Sequence, residues 1–231
     1  MIYIGLDDTD VLESRGTGRL AREIAGTLEA DYGLQGVTRH QLLVDPRVPC
    51  TKNNSCAALH LDGSAIRQDC ALDALFERVK ALMLADFYPG SDPGLCVAVA
   101  PSPAITDYGR RAQREIVTQA EARALAAQHG IRLAGLGGDE DGVIGALSAV
   151  GLAASGSDGR YVLVGRSRQT EGLQPVSAVL ALGIDAVQTL DGQPVTEGLI
   201  QTDKLRPARR SERPILVVEW DGACWQPLKL D

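Results

Sequence analysis

The sequence has no CxxC pair, no GxxxxGK[ST] loop, no GxGxxG fingerprint and no long apolar run, and each gap removes a class of protein. The five cysteines, Cys50, Cys56, Cys70, Cys96 and Cys224, are odd in number, which argues against a disulfide framework. Without paired spacing they also exclude a zinc ribbon, and they are expected as reduced, mostly buried thiols. No stretch approaches the roughly 18 apolar residues needed to span a bilayer, so no membrane partner is expected. The start, MIYIGLDD, lacks a basic segment followed by an apolar core and a cleavage site, so no signal peptide is expected and cytoplasmic residence is the default. His40, His60 and His129 show no metal-ligand spacing, and no Ser/His/Asp or Cys/His order stands out. A net charge of −7 disfavours broad nucleic-acid binding, which depends on Lys and Arg, while leaving room for a local basic groove.

What is present is an ordinary globular composition, 45% hydrophobic and 23% charged, over 231 residues, enough for one large domain or two small ones. The pattern alternates strands and helices. IYIGL reads as a strand, followed by a helix from about Gly16 to Tyr32 whose Leu20, Ile24 and Leu28 share one face, with Gly33 as its C-cap. VTRHQLLV and SCAALHL read as paired strands around the loop from Asp45 to Asn54. A helix from about Ala65 to Phe87 is expected to bury Ile66, Cys70, Phe76, Val79 and Met83, and LCVAVA reads as a strand covered on both faces. One Ala-rich helix is expected from about Tyr108 to His129, then a strand IRLAGLGG. The helix DEDGVIGALSAVGLA follows, with a small-residue face at Gly142, Gly145, Ala146 and Ala149. After Gly183 shorter β-like pieces dominate, with ILVVEW and CWQPLKL as a hairpin around Asp221-Gly222. The expectation is an α/β (α+β) fold of mixed sheets with packed helices, divided near residue 184 into a catalytic α/β part, 1–184, and a β-rich part, 185–231.

Chemistry concentrates near the amino terminus. Asp7, Asp8 and Asp10 close the first strand, and clustered acids repel one another unless a cation or proton compensates them. Their hard oxygens suit Mg²⁺, which takes one or two carboxylates and fills its sphere with water and phosphate oxygens. The end of a strand is also where open α/β sheets place ligands. Gly16-Thr17-Gly18 begins the next helix, where free N–H groups suit a phosphate. The Thr17 hydroxyl is placed to bind metal, contact phosphate or accept a phosphoryl group, and equally to cap the helix. GLGGDEDG, with Gly137 and Gly138, is a glycine-rich loop entering a helix and a generic nucleotide-loop candidate. Arg47, Lys52, Asn53 and Asn54 bring charge and hydrogen bonds that an anionic substrate would meet. Arg160, Arg166 and Arg168, and the cluster from Arg206 to Arg213, are further basic positions.

IGLDDTD, the single threonine seven residues after its last Asp, LLVDPRVP, SDPG before a strand and VIGALSAVG occur in an order that resembles the N-terminal catalytic region of archaeal tRNA(Ile2) 2-agmatinylcytidine synthetase. That family uses ATP to phosphorylate a cytidine carbonyl, and agmatine displaces the phosphate. The resemblance implies Asp7, Asp8 and Asp10 as the acidic motif, Thr17 as the threonine that becomes phosphorylated, and ferredoxin-like elements beginning in the C-terminal part. RGTGR stands where the family has MCTTY, and CTKNNSC replaces its Arg- and Gly-containing loop. The family's oligonucleotide-binding fold and zinc ribbon, which grip tRNA, are not expected within these 231 residues.

The expected function is therefore an ATP- and Mg²⁺-dependent phosphotransferase or synthetase. Asp7, Asp8 and Asp10 would hold the metal, Gly16, Gly18, Gly137, Gly138 and Lys52 the nucleotide, and Thr17 would accept or orient the γ-phosphate. The acceptor expected is a small amine or carbonyl-bearing metabolite rather than tRNA. Two alternatives stand beside it: a haloacid-dehalogenase-like phosphatase with Asp8 as nucleophile, Asp10 as general acid and GGDEDG resembling its later acidic metal loop, and a nucleotide-binding module without turnover.

Overall fold

The computed structural model describes residues 1–11, 16–48, 50, 53–65, 69–86 and 88–230. The chain forms two compact units, Met1–Ser155 and Gly156–Asp231, so position 184 falls inside the second. No helix among the described residues is long and apolar enough to cross a membrane.

The first unit runs β1 (Ile2–Asp7), α1 (Thr17–Tyr32), β2 (Leu34–Gln41), β3 (Ser55–Leu61), α2 (Asp69–Ala85), β4 (Gly94–Val99), α3 (Pro103–Ala112), α4 (Gln119–Gln128), β5 (Arg132–Gly135) and α5 (Gly142–Ala154). Its strands lie in the order β5-β4-β1-β3-β2 and every pairing is antiparallel. Alternation along β1 sends Ile2, Ile4 and Leu6, all fully buried, to the face that α1 covers. Tyr3, Gly5 and Asp7 turn to the face that receives α5. That helix is apolar around nearly its whole circumference and is buried accordingly. Its small residues let backbone lie on backbone: a Cβ on Gly5 would fall on the Ala146 carbonyl.

Helix α1 starts and stops as its sequence directs, burying Leu20, Ile24 and Leu28 and ending at Gly33, whose left-handed φ of 62° lets its N–H reach the Glu29 carbonyl at 3.2 Å. Two helix expectations need correction. The second helix buries Leu72, Leu75, Val79 and Met83, with Cys70 exposed and Phe76 half-buried; Ile66 and Phe87 lie outside the described residues. The span from Tyr108 to His129 is two helices. Thr118 restarts the chain as an N-cap, its side chain accepting from the Glu121 N–H at 3.3 Å while the Glu121 carboxylate accepts the Thr118 N–H at 2.9 Å. Thr-x-x-Glu is a capping box, and it was readable at 118–121.

The second unit contains β6 (Arg160–Leu163), β7 (Leu173–Pro175), α6 (Val176–Leu180), β8 (Ala186–Gln188), β9 (Leu199–Gln201), β10 (Ala208–Arg210), β11 (Arg213–Trp220) and β12 (Trp225–Pro227). Parallel pairs, β11 with β8 and β12 with β9, sit among antiparallel ones. The hairpin expected at Asp221-Gly222 joins β11 to β12, with Trp220 opposite Trp225. Together the units make the mixed α/β class expected, with helices packed on sheets and a β-rich carboxy-terminal part. Three of the five free cysteines, Cys56, Cys96 and Cys224, are buried.

Candidate functional site

Three chain segments meet where β1 ends. Strand β1 breaks at Asp8, which takes the left-handed region at φ 47°, a conformation that Asp tolerates better than most residues. Beside it runs the SDPG segment before β4, and beyond that the Gly135–Gly142 loop into α5. The last two are tied together by backbone: the Gly142 N–H reaches the Asp92 carbonyl at 3.2 Å and the Leu136 N–H reaches the Pro93 carbonyl at 2.7 Å. The Asp92 carboxylate accepts the Asp139 N–H at 3.0 Å. Gln119 fixes the far side, donating to the Asp139 carbonyl at 2.8 Å and to the Asp141 carboxylate at 2.7 Å.

The result is a concentration of negative charge. Burial, reinforced by Asp8 and Asp10, holds the Asp7 carboxyl well above the usual carboxylate range. Asp7 has room only because α5 offers glycine there; a Cβ on Gly145 would fall on its carboxylate. Asp8 is pushed up to about 6, first by burial and then by Asp92, Asp10, Asp139 and Asp141. Asp7 and Asp8 line a cavity of about 140 Å³ together with Asp92, Asp139, Asp141 and the apolar Leu43, Ile116 and Val117. They also line a smaller one, about 40 Å³, with Asp10, Asn53 and Asn54. This acidic pair therefore stands between two hollows. Asp92 is absent from the sequence-derived site, and Asp139 and Asp141 enter it only through GGDEDG in the phosphatase alternative. Their signal was present as SDPG and GGDEDG, but nothing in the sequence shows that the two loops are hydrogen-bonded neighbours.

Thr17 is the first residue of α1 rather than its cap. Gly16 occupies the cap position at φ 80° and makes no side-chain cap bond. The buried Thr17 hydroxyl accepts from Thr9 Oγ1 at 3.0 Å and donates to Asp10 Oδ1 at 3.1 Å. Asp10 is thus drawn to the helix start. Gly16 lies beside it, where a Cβ would be 3.9 Å from Asp10 Oδ2, and the Gly18 carbonyl accepts from Arg22 at 2.6 Å.

The other expected residues divide. Gly138, at φ 58°, is pressed against Asp92, where a Cβ would overlap the carboxylate. Gly137 adjoins it in the same turn. Arg47 is engaged by Asp45 through contacts of 2.8 Å and is not available as a lone cation. Lys52 lies outside the described residues. The rule that placed a ligand at the strand end comes from parallel sheets; here β1 is flanked by antiparallel β3 and β4, so the site owes its position to the turn at Asp8 and the two loops beside it.

Among the described residues, no three His, Cys, Asp or Glu side chains converge as a ready-made metal-holding group. The donor chemistry nonetheless fits a hard divalent cation: the donors are carboxylates, and those of Asp7 and Asp8 are destabilised in the charged form first by burial and then by neighbouring acids.

No family model matches the chain. It is 29% identical over 155 residues to an uncharacterized protein of Methanocaldococcus jannaschii, covering 66% of this chain and 50% of that protein. Among solved structures it is similar to apo TiaS, tRNA(Ile2) agmatidine synthetase, with a TM-score of 0.55 and 19% identity over 65% of this chain and 35% of that one. It is similar also to TiaS in complex with tRNA(Ile2) and ATP, with a TM-score of 0.53 and 21% identity over 65% and 36%. At these identities the likeness is one of fold. The chain spans half the length of the curated relative and about a third of the solved chains.

Proposed function

We propose that the first unit is an ATP- and Mg²⁺-dependent phosphotransferase or synthetase that activates its acceptor by phosphorylation. The observation that carries this reading is the Asp7–Asp8 pair, raised by burial and by surrounding acids and set between two cavities, one of them reaching Asp10, the hydrogen-bond partner of Thr17. The likeness of fold to TiaS, solved with tRNA(Ile2) and ATP, supports it, as does the resemblance around IGLDDTD.

In this reading Asp7 and Asp8 hold Mg²⁺, which supplies charge neutralisation at the transferring phosphate when bound. Asp10 would orient the Thr17 hydroxyl and receive its proton as Thr17 Oγ1 bonds the γ-phosphorus of ATP, the bond from that phosphorus to the bridging oxygen breaks and ADP leaves. Amides at the start of α1, with Gly16 as an uncapped N-cap, hold phosphate oxygens. The apolar Leu43, Ile116 and Val117 line the acceptor side. The acceptor is a small metabolite bearing an amine or carbonyl.

Mass spectrometry after incubation with Mg²⁺ and ATP tests this directly. A phosphate on Thr17 and release of ADP are expected, and both should vanish in Asp10→Asn. Magnesium-nucleotide binding without turnover would leave a binding module instead. Hydrolysis of phosphate monoesters without ATP would favour the phosphatase reading, which draws on the same closeness of Asp8 to Asp139 and Asp141.

A further inference from the structure

We infer that an arginine-lined cleft next to the carboxylate cavity docks a single phosphate group carried by the small acceptor. The acceptor's part in this rests on the function proposed above; the anion site itself does not.

The last turn of α3 and the segment after it place Arg110, Arg111 and Arg114 around a cavity of about 520 Å³, together with Asp107 and Glu115. Arg111 is neutralised, donating to Glu115 at 2.7 Å and to Glu121 at 3.0 Å. Arg110 and Arg114 are both exposed, and neither has an ion pair among the described residues. Arg110 lies in the last turn of α3, which ends at Ala112, and Arg114 lies in the turn that follows. Carbonyls at a helix C-terminus favour cations, which accounts for basic residues here. Asp107 and Glu115 line the same cleft, but among the described residues neither makes an ion pair with the Arg110 or Arg114 guanidinium. A dianionic phosphate, accepting from both planar forks, satisfies them together.

Glu115 lines both this cleft and the cavity at Asp7 and Asp8. The two are therefore neighbours, and in this reading one molecule spans both. Its phosphate would lie at Arg110 and Arg114, its body along Ile116 and Val117, and its reacting group at the acidic pair. A long polyanion fits less well. A strand with one charge per nucleotide would run over Asp107 and then over Asp92, Asp139 and Asp141.

Ribose 5-phosphate, with ribose as its control, is a suitable probe. The side-chain Nε–H signals of Arg110 and Arg114 are followed by NMR in the whole chain. Saturable shifts at both are expected with ribose 5-phosphate and none with ribose. In the double variant Arg110→Gln, Arg114→Gln the affinity should fall by about tenfold or more, with the binding of Mg-ATP unchanged. No shift with ribose 5-phosphate overturns the proposal, as does undiminished affinity in the double variant. Shifts with a single-stranded oligonucleotide alone overturn it in favour of a nucleic-acid contact. Loss of Mg-ATP binding in the double variant would hand the cleft to the nucleotide and overturn it too. If ribose 5-phosphate binds as expected while Mg-ATP fails to bind the unaltered chain, the phosphate cleft stands and the function proposed above falls.

Discussion

Two turns in this molecule follow a strand with aspartate, and they treat the carboxylate in opposite ways. After β11, Asp221 accepts the N–H groups of Ala223 and Cys224, each at 2.8 Å, and the Gln226 amide at 2.8 Å. Those donors pull it down to about 2. After β1, Asp8 is half-buried and faces Asp92, Asp10, Asp139 and Asp141, and it is pushed up to about 6. Asp45 and Glu121 behave like Asp221, each lowered by an arginine beside it and by a backbone N–H. The contrast separates two uses of one residue type. A carboxylate ringed by donors holds a turn together, whereas one ringed by carboxylates costs stability until a cation or a proton arrives.

The largest test of that contrast is Asp8→Asn against Asp221→Asn. Removing the Asp8 charge should lower ATP turnover by on the order of 100-fold or more, because metal-assisted charge stabilisation at the phosphate is lost. It should also raise the melting temperature in chelator, since repulsion among the acids falls. Asp221→Asn should do the reverse, lowering stability with turnover intact. Calorimetry and a coupled ADP assay read both. A destabilised Asp8→Asn would show that its carboxylate is structural after all and would erase the distinction.

A smaller effect sharpens the spatial side of the comparison. Gly145 gives the Asp7 carboxylate its room, so Gly145→Ala should cost about 1–3 kcal/mol through overpacking and weaken magnesium binding with it. Gly26, inside α1, has nothing within 4 Å of an added Cβ. Gly26→Ala should instead stabilise by about 0.4–1 kcal/mol through the unfolded chain. Denaturant unfolding of the pair checks both signs. Equal responses would mean that the closeness of α5 to β1 plays no part in holding Asp7.

Much of this arrangement was legible in the sequence, for reasons of period and punctuation. Strand β1, helix α1 with its Gly33 stop, and the small-residue face of α5 follow from local pattern, and local pattern is what formed them. The acids at 7, 8 and 10 were visible because they fall within four positions of the chain. The acidic loop at Asp139 and Asp141 was joined to them only by motif, in the phosphatase alternative, and Asp92 not at all, because its meeting with that loop depends on two backbone hydrogen bonds between segments more than 40 residues apart. The break between α3 and α4 was missed for a different reason. Ala-rich composition favours helix on both sides, so only the capping box marks the interruption. Thr118→Ala should remove that cap at a cost of about 1 kcal/mol, measurable by thermal unfolding.

The smallest expected signal is also the one that most directly compares the two turns. Asp8 has a folded-state pKa above its ordinary value of 3.8, so its contribution to stability is fully present below 3.8 and is lost as pH rises through about 6. Asp7, raised by burial, acts with the same sign. Asp221 is lowered, so its contribution is present above 3.8 and disappears as pH falls toward 2. In metal-free buffer, the gain in melting temperature of Asp8→Asn over the unaltered chain should therefore grow between pH 4 and 6. The deficit of Asp221→Asn should shrink between pH 4 and 2, and it should be modest because that turn is exposed to solvent. Two difference profiles with opposite slopes in separate windows are what the surroundings of these carboxylates require. Parallel profiles would mean that neighbouring acids at Asp8 are screened as well as any surface group, and the acidic pair would then lose its claim on a cation.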